Sequence, residues 1–202
     1  MITIIDYGMG NLRSVEKAVE KFCQGVKVSS SPEDVAKADK IILPGVGAFG
    51  TAMRELRKRR LLGAIRDSIE DGKPFLGICL GLQLLFSESE EGGRVKGLGI
   101  FEGKVKRFRG RPGLKIPHMG WNSVRLQGGR ETGLQGLDGS YMYFVHSYYV
   151  EPKDKDIVFC KTNYGADFTS GIRKDNVWAF QFHPEKSQSA GLKIMESFVK
   201  AC

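Results

Sequence analysis

Three short segments in the first half of the chain, Ile2–Ile5, residues 41–43 and Phe75–Ile78, are apolar at nearly every position. Strands that lack polar alternation bury both faces, as strands of a parallel sheet do between layers of helices. Helical spacing fills the intervals. After the turn Asp6-Tyr7-Gly8-Met9-Gly10, Asn11 is placed as an N-cap, and Leu12, Val15, Ala18, Val19 and Phe22 then recur on one face before Gly25. Val26–Ser29 reads as a strand, and Pro32-Glu33-Asp34 opens a short helix with proline in its first turn. Residues 49–71 read as helical, with Gly72 as the stop.

The second half carries strand patterns near 98–108, 121–126, 141–150, 157–162, 167–173 and 177–182, followed by a last helix presenting Leu192, Met195 and Val199. A Gly- and Arg-rich stretch, 103–113, is expected to form a loop or hairpin. The pattern predicts an α/β fold: one domain over residues 1–202, with a mixed, mostly parallel central sheet flanked by helices and a strand-rich second half.

Composition narrows the function classes. The 202 residues are 41% hydrophobic and 27% charged, which excludes disordered and fibrous readings. No apolar run approaches the roughly 20 residues of a membrane span, and no basic-then-apolar leader opens the sequence. The four cysteines, Cys23, Cys79, Cys160 and Cys202, are widely spaced. That argues against a metal site and for free thiols in a reducing cytoplasm. The net charge of +8 includes basic runs at 57–60 and 104–111, but these lack interleaved aromatics and read as solvated faces, not as a nucleic-acid surface. Gly8-x-Gly10 fails as a dinucleotide fingerprint, because position 13 is Arg where a third small residue is required.

The informative segment is Gly77-Ile78-Cys79-Leu80-Gly81-Leu82-Gln83. A cysteine between two glycines, where an apolar strand hands over to a helix, is the nucleophile-elbow pattern. Taken alone it is equally a buried cysteine between packing glycines. Gln181-Phe182-His183-Pro184-Glu185 tips the balance. In an extended continuation of the preceding strand, His183 and Glu185 share a face, so the carboxylate can orient an imidazole able to deprotonate the thiol. Pro44-Gly45-Val46-Gly47 follows another apolar strand. Its bare amides, with the amide of Leu80 after the nucleophile, are candidates for an oxyanion hole.

These segments resemble class I (triad-type) glutamine amidotransferases. Asp6 through Val15, Pro117-His118-Met119-Gly120-Trp121-Asn122 and Phe144-Val145-His146-Ser147-Tyr148 extend the resemblance over the whole chain, toward the family's glutaminase subunits of histidine biosynthesis. The resemblance implies that Cys79 attacks the side-chain amide of L-glutamine, that His183 held by Glu185 moves the proton, and that amides near Val46 and Leu80 hold the oxyanion. It further implies that Gly47, Gln83 and the backbone at His146, Ser147 and Tyr148 bind glutamine, with His146 not a second base. Ammonia would pass to a (β/α)₈-barrel synthase subunit in a heterodimer, docked on Asn11, Met119, Trp121, Tyr143 and Lys186. No cofactor is implied. A paralogous glutaminase feeding a different synthase would carry the same elbow and triad.

Overall fold

The computed structural model describes residues 1–110, 112–128 and 134–201. Arg111 of the second basic run and Cys202 lie outside the described residues. The first half runs β1 (Ile2–Ile5), α1 (Leu12–Glu20), β2 (Val26–Ser29), α2 (Pro32–Lys37), β3 (Lys40–Leu43), α3 (Phe49–Lys58), α4 (Leu61–Glu70), β4 (Phe75–Ile78) and α5 (Leu80–Leu84). Then come β5 (Phe86–Ser89), β6 (Val95–Lys96), β7 (Phe101–Arg107), β8 (His118–Ser123), β9 (Arg125–Leu126), β10 (Tyr141–His146), β11 (Tyr148–Pro152), β12 (Val158–Asn163), β13 (Asp167–Lys174), β14 (Val177–Phe180) and α6 (Gln188–Lys200).

Five strands in the order β2-β1-β3-β4-β14 run parallel, and the sheet continues through β13, β11, β7, β5 and β6, with β12 attached to β13 and β9 to β12. The apolar strands are buried on both sides for the reason their sequences suggest. Ile41, Leu43 and Phe75 pack with α2, α3 and α4 on one face, while Ile42, Leu76 and Ile78 pack with α1 and α6 on the other. Asn11 caps α1 by accepting from the Ser14 N–H, and Ser31 caps α2 by accepting from the Asp34 N–H.

Four expectations change. The helix expected over 49–71 is two helices, because Arg60 adopts a left-handed conformation (φ 58°) between α3 and α4, although Gly72 does end α4. The strand expected over 141–150 breaks at Ser147. β10 pairs antiparallel with β8 in a separate two-stranded ribbon, and β11 joins the main sheet. The stretch 103–113, expected as a loop or hairpin, is strand through Arg107, as the overlapping strand expectation near 98–108 has it, and there Lys104 and Lys106 pair with Glu88 and Glu151 across the sheet surface. The strand expected at 121–126 begins earlier, at His118, and is interrupted at Val124.

Candidate active site

β3 pairs with β4, and β4 with β14, in parallel register, so Leu43 lies beside Gly77 and Phe180 beside Ile78. The segments that follow these strands, Pro44-Gly45-Val46-Gly47, Cys79, and Gln181-Phe182-His183, therefore meet at the carboxyl ends of three adjacent central strands. This is where ligands of open α/β folds bind.

Cys79 is a strained elbow residue, with φ 54° and ψ −106° in a region that L-residues rarely occupy. Its N–H donates to the Phe180 carbonyl at 2.7 Å. The flanking glycines are required by space. A Cβ on Gly81 would overlap the Leu43 carbonyl oxygen, and one on Gly77 would stand 3.0 Å from the Ala179 Cβ.

His183 and Glu185 meet, but by a different path from the one their spacing suggests. The strand ends at Phe180, two residues short of the expected 182, the chain bends at 181–182, and after an extended His183 it enters a single 3₁₀ turn at residues 184–186. Within that turn His183 Nδ1 lies 2.8 Å from Glu185 Oε1, both side chains being buried. A carboxylate only accepts, so Nδ1 carries the hydrogen and Nε2 is left as the proton acceptor. Nε2 is buried and hydrogen-bonds to no described residue. Burial by itself lowers the pKa of His183. The Cys79 sulfur and the Glu185 carboxylate outweigh it and raise the pKa well above the ordinary histidine value. The Tyr143 carbonyl accepts from the His183 N–H at 2.9 Å, and the Ser187 hydroxyl ties the His183 carbonyl to the Tyr143 N–H.

A cavity of about 430 Å³ opens over the thiol, lined by Val46, Gly47, Cys79, Leu80, Gln83, Glu91, Pro117, Val145, His146, Ser147 and Tyr148. The expected glutamine-holding residues thus share one cavity with the expected nucleophile. The break at Ser147 turns residues 146–148 toward it. Both amide hydrogens of Gln83 are committed, to the Tyr148 carbonyl (3.0 Å) and to Gln181 Oε1 (3.1 Å). Gln83 therefore offers the cavity a carbonyl oxygen. Glu91 escaped the sequence reading. Its Oε2 accepts from the Phe49 N–H at 2.8 Å, and its carboxylate supplies the cavity with an anion. It sits in the run Ser87-Glu88-Ser89-Glu90-Glu91, where nothing local separates it from a solvated acidic stretch.

The loop 44–47 is anchored from below. Tyr7, fully buried, donates from its hydroxyl to the Pro44 carbonyl at 2.9 Å, and burial, then the nearby Cys79 charge, push the Tyr7 pKa up. A side chain on Gly45 would overlap this hydroxyl. The Leu80 N–H, expected as an oxyanion donor, is here directed at the Gly45 carbonyl at 3.3 Å.

Val46 in the cavity lining is 39% exposed, and on β8 Met119 is 63% and Trp121 46% exposed. The rings of Trp121 and Tyr143 stand 6.0 Å apart, and the exposed Lys186 ammonium lies 5.8 Å from the Tyr143 ring. Asn11 is exposed at the start of α1. His146 is buried and neutral, its pKa pushed down to about 3, first by burial. Both of its ring nitrogens are hydrogen-bonded.

The chain as a whole is matched by comparison with known proteins. Residues 3–202 match the family glutamine amidotransferase class-I, and the chain belongs to it. A crystal structure of a glutamine amidotransferase superposes over the full length of both chains with TM-score 0.77 at 19% identity. The structure of PurLQS from Thermotoga maritima does so with TM-score 0.76 at 18% identity, over 98% of this chain and 96% of that one. Two relatives named imidazole glycerol phosphate synthase subunit HisH are much closer in sequence. The one from Rhodopirellula baltica is 50% identical over 100% of this chain and 98% of its own, and the one from Aquifex aeolicus is 54% identical over 96% and 94%.

Proposed function

We propose that this chain is the glutaminase subunit of an imidazole glycerol phosphate synthase, working in the cytoplasm as a heterodimer with a (β/α)₈-barrel subunit. The observation that carries the chemistry is the strained Cys79 beside the imidazole that Glu185 orients. Sequence identity of 50–54% over essentially full length to subunits of that name supports the particular synthase.

His183 Nε2 holds the proton given up by the Cys79 thiol, as its raised pKa favours, and the sulfur attacks the carboxamide carbon of L-glutamine as a thiolate. The imidazolium returns the proton to the departing ammonia, leaving a γ-glutamyl thioester. A water deprotonated at the same nitrogen then cleaves the thioester to glutamate. Glu91 suits the substrate α-ammonium by charge, and the Gln83 carbonyl oxygen suits an N–H of glutamine.

The oxyanion needs donors, and the Leu80 N–H is directed at the Gly45 carbonyl. Turning over the Gly45–Val46 peptide would release it and swing the Val46 N–H inward. One such donor is worth roughly 3–4 kcal/mol. The isolated chain should therefore release glutamate slowly, and the rate should rise by two orders of magnitude or more when a barrel subunit and its nucleotide ligand are added. Equal rates with and without the partner would refute the switch. In the heterodimer, Cys79→Ala should abolish glutamine-dependent synthesis and preserve synthesis from ammonium salts. Loss of both would make Cys79 a structural residue.

A further inference from the structure

Gln181 is the first residue after β14, and no part of it is exposed. Its two amide ends are both engaged. Oε1 accepts from Gln83 Nε2 at 3.1 Å, and Nε2 donates to Cys79 Sγ at 3.7 Å. Which end faces which partner follows from the network. The Tyr148 carbonyl can only accept, so Gln83 must turn its nitrogen toward it. That same nitrogen faces Gln181, which answers with its oxygen, and the Gln181 nitrogen is thereby left facing the sulfur.

The chain of constraints continues outward. His146 Nδ1–H donates to the same Tyr148 carbonyl at 2.8 Å, so His146 Nε2 accepts from His118 Nδ1–H at 3.0 Å. His118 Nε2 in turn accepts from Asn122 Nδ2 at 3.2 Å. Asn122 lies on β8, the strand that exposes Met119 and Trp121.

We propose that Gln181 is a positioning residue for the nucleophile: locked by Gln83, its amide aims an N–H at the Cys79 sulfur and favours the anionic form of that sulfur. This rests on the reading of Cys79 as the nucleophile. A neutral thiol or thioester sulfur accepts hydrogen bonds weakly, whereas a thiolate accepts them strongly. The bond therefore gains strength when the thiol loses its proton to His183, and again when the thioester breaks and sulfur leaves as thiolate. Gln181 works on the opposite flank of the sulfur chemistry from the oxyanion loop and does not touch the substrate.

The test reads the thiolate directly in the full-length chain. Iodoacetamide labelling of Cys79, resolved from Cys23, Cys160 and Cys202 by peptide mass spectrometry, is followed against pH. The titratable groups facing the sulfur are His183 from the end of β14, with Glu185 behind it, and Tyr7 from the end of β1. His146 and Glu91 line the cavity above. None of these is altered in Gln181→Met, which removes the donor, or in Gln181→Glu, which replaces it with an acceptor. The labelling midpoint should rise by roughly one pH unit in the Met variant, the size of a charge-assisted hydrogen bond, and further in the Glu variant. Alongside, kcat for glutamine should fall about tenfold with KM changed less than twofold. A folded variant whose midpoint stays at the parent value overturns the proposal. If Gln181→Met fails to fold, Gln181→Glu, which keeps the acceptor for Gln83, decides it. Cys79→Ser separates the two readings. Glutamate release that survives it refutes the nucleophile, whereas its loss together with an unmoved midpoint refutes Gln181 alone.

Discussion

At the scale of single residues, the site is held by atoms that leave no room. The Leu43 carbonyl lies where a Gly81 Cβ would stand, and the Tyr7 hydroxyl where a Gly45 Cβ would stand. Backbone cannot yield as a flexible side chain does. Gly81→Ala is therefore expected to displace the elbow, lower stability by about 2–4 kcal/mol and abolish glutaminase activity, measured by urea unfolding and glutamate release. A variant with parental stability would show that the elbow relaxes freely. Gly77, Cys79 and Gly81 were readable in the sequence because the strained turn demands that combination. Glu91 was not, because its importance comes from the fold carrying the segment after β5 back over α3.

At the scale of elements, legibility followed burial. β1, β3 and β4 announced themselves because both faces are covered and no polar alternation dilutes the signal. β5, whose Phe86-Ser87-Glu88-Ser89 holds a single large apolar residue, gave none. The breaks were hidden for another reason. Arg60 and Ser147 are neither glycine nor proline, so the left-handed turn between α3 and α4 and the exit from β10 come from tertiary packing, not from local preference. The second break matters most, because it separates the β8–β10 ribbon from the main sheet while Tyr143 keeps its grip on the His183 backbone. Trp121, half exposed on that ribbon, should be dispensable to the isolated fold. Trp121→Ala is expected to change unfolding free energy by less than about 1 kcal/mol yet to weaken activation by the proposed barrel subunit by roughly 2 kcal/mol, about thirtyfold in a titration of activity against partner. A large loss of stability without loss of activation would assign the ring to packing.

At the scale of the whole molecule, three histidines make stability depend on pH in two directions. Burial pushes His118 down to about 4 and His146 to about 3, so the fold keeps both neutral. Below the unfolded value near 6.5 the unfolded chain binds protons that the fold refuses, and stability falls with acid. His183 acts oppositely. Its raised pKa means that the fold holds a proton the unfolded chain gives up, so its contribution is complete below about 6.5 and fades as pH climbs through the folded value. The urea midpoint should peak near pH 6.5 and decline toward both pH 5 and pH 9. His118→Gln should flatten the acid limb. A midpoint that rises from 6.5 to 5 would contradict neutral burial of the pair.

The order of the strands in the sheet has one more consequence. β14, which delivers the base, slots between β4 and β13 and is the last strand made. On a ribosome, the Cys79 sulfur is synthesised long before the His183 imidazole proposed to take its proton. A nascent polypeptide that stops short of β14 thus carries an idle thiol, and the proposed hydrolysis waits until that strand has taken its place beside β4.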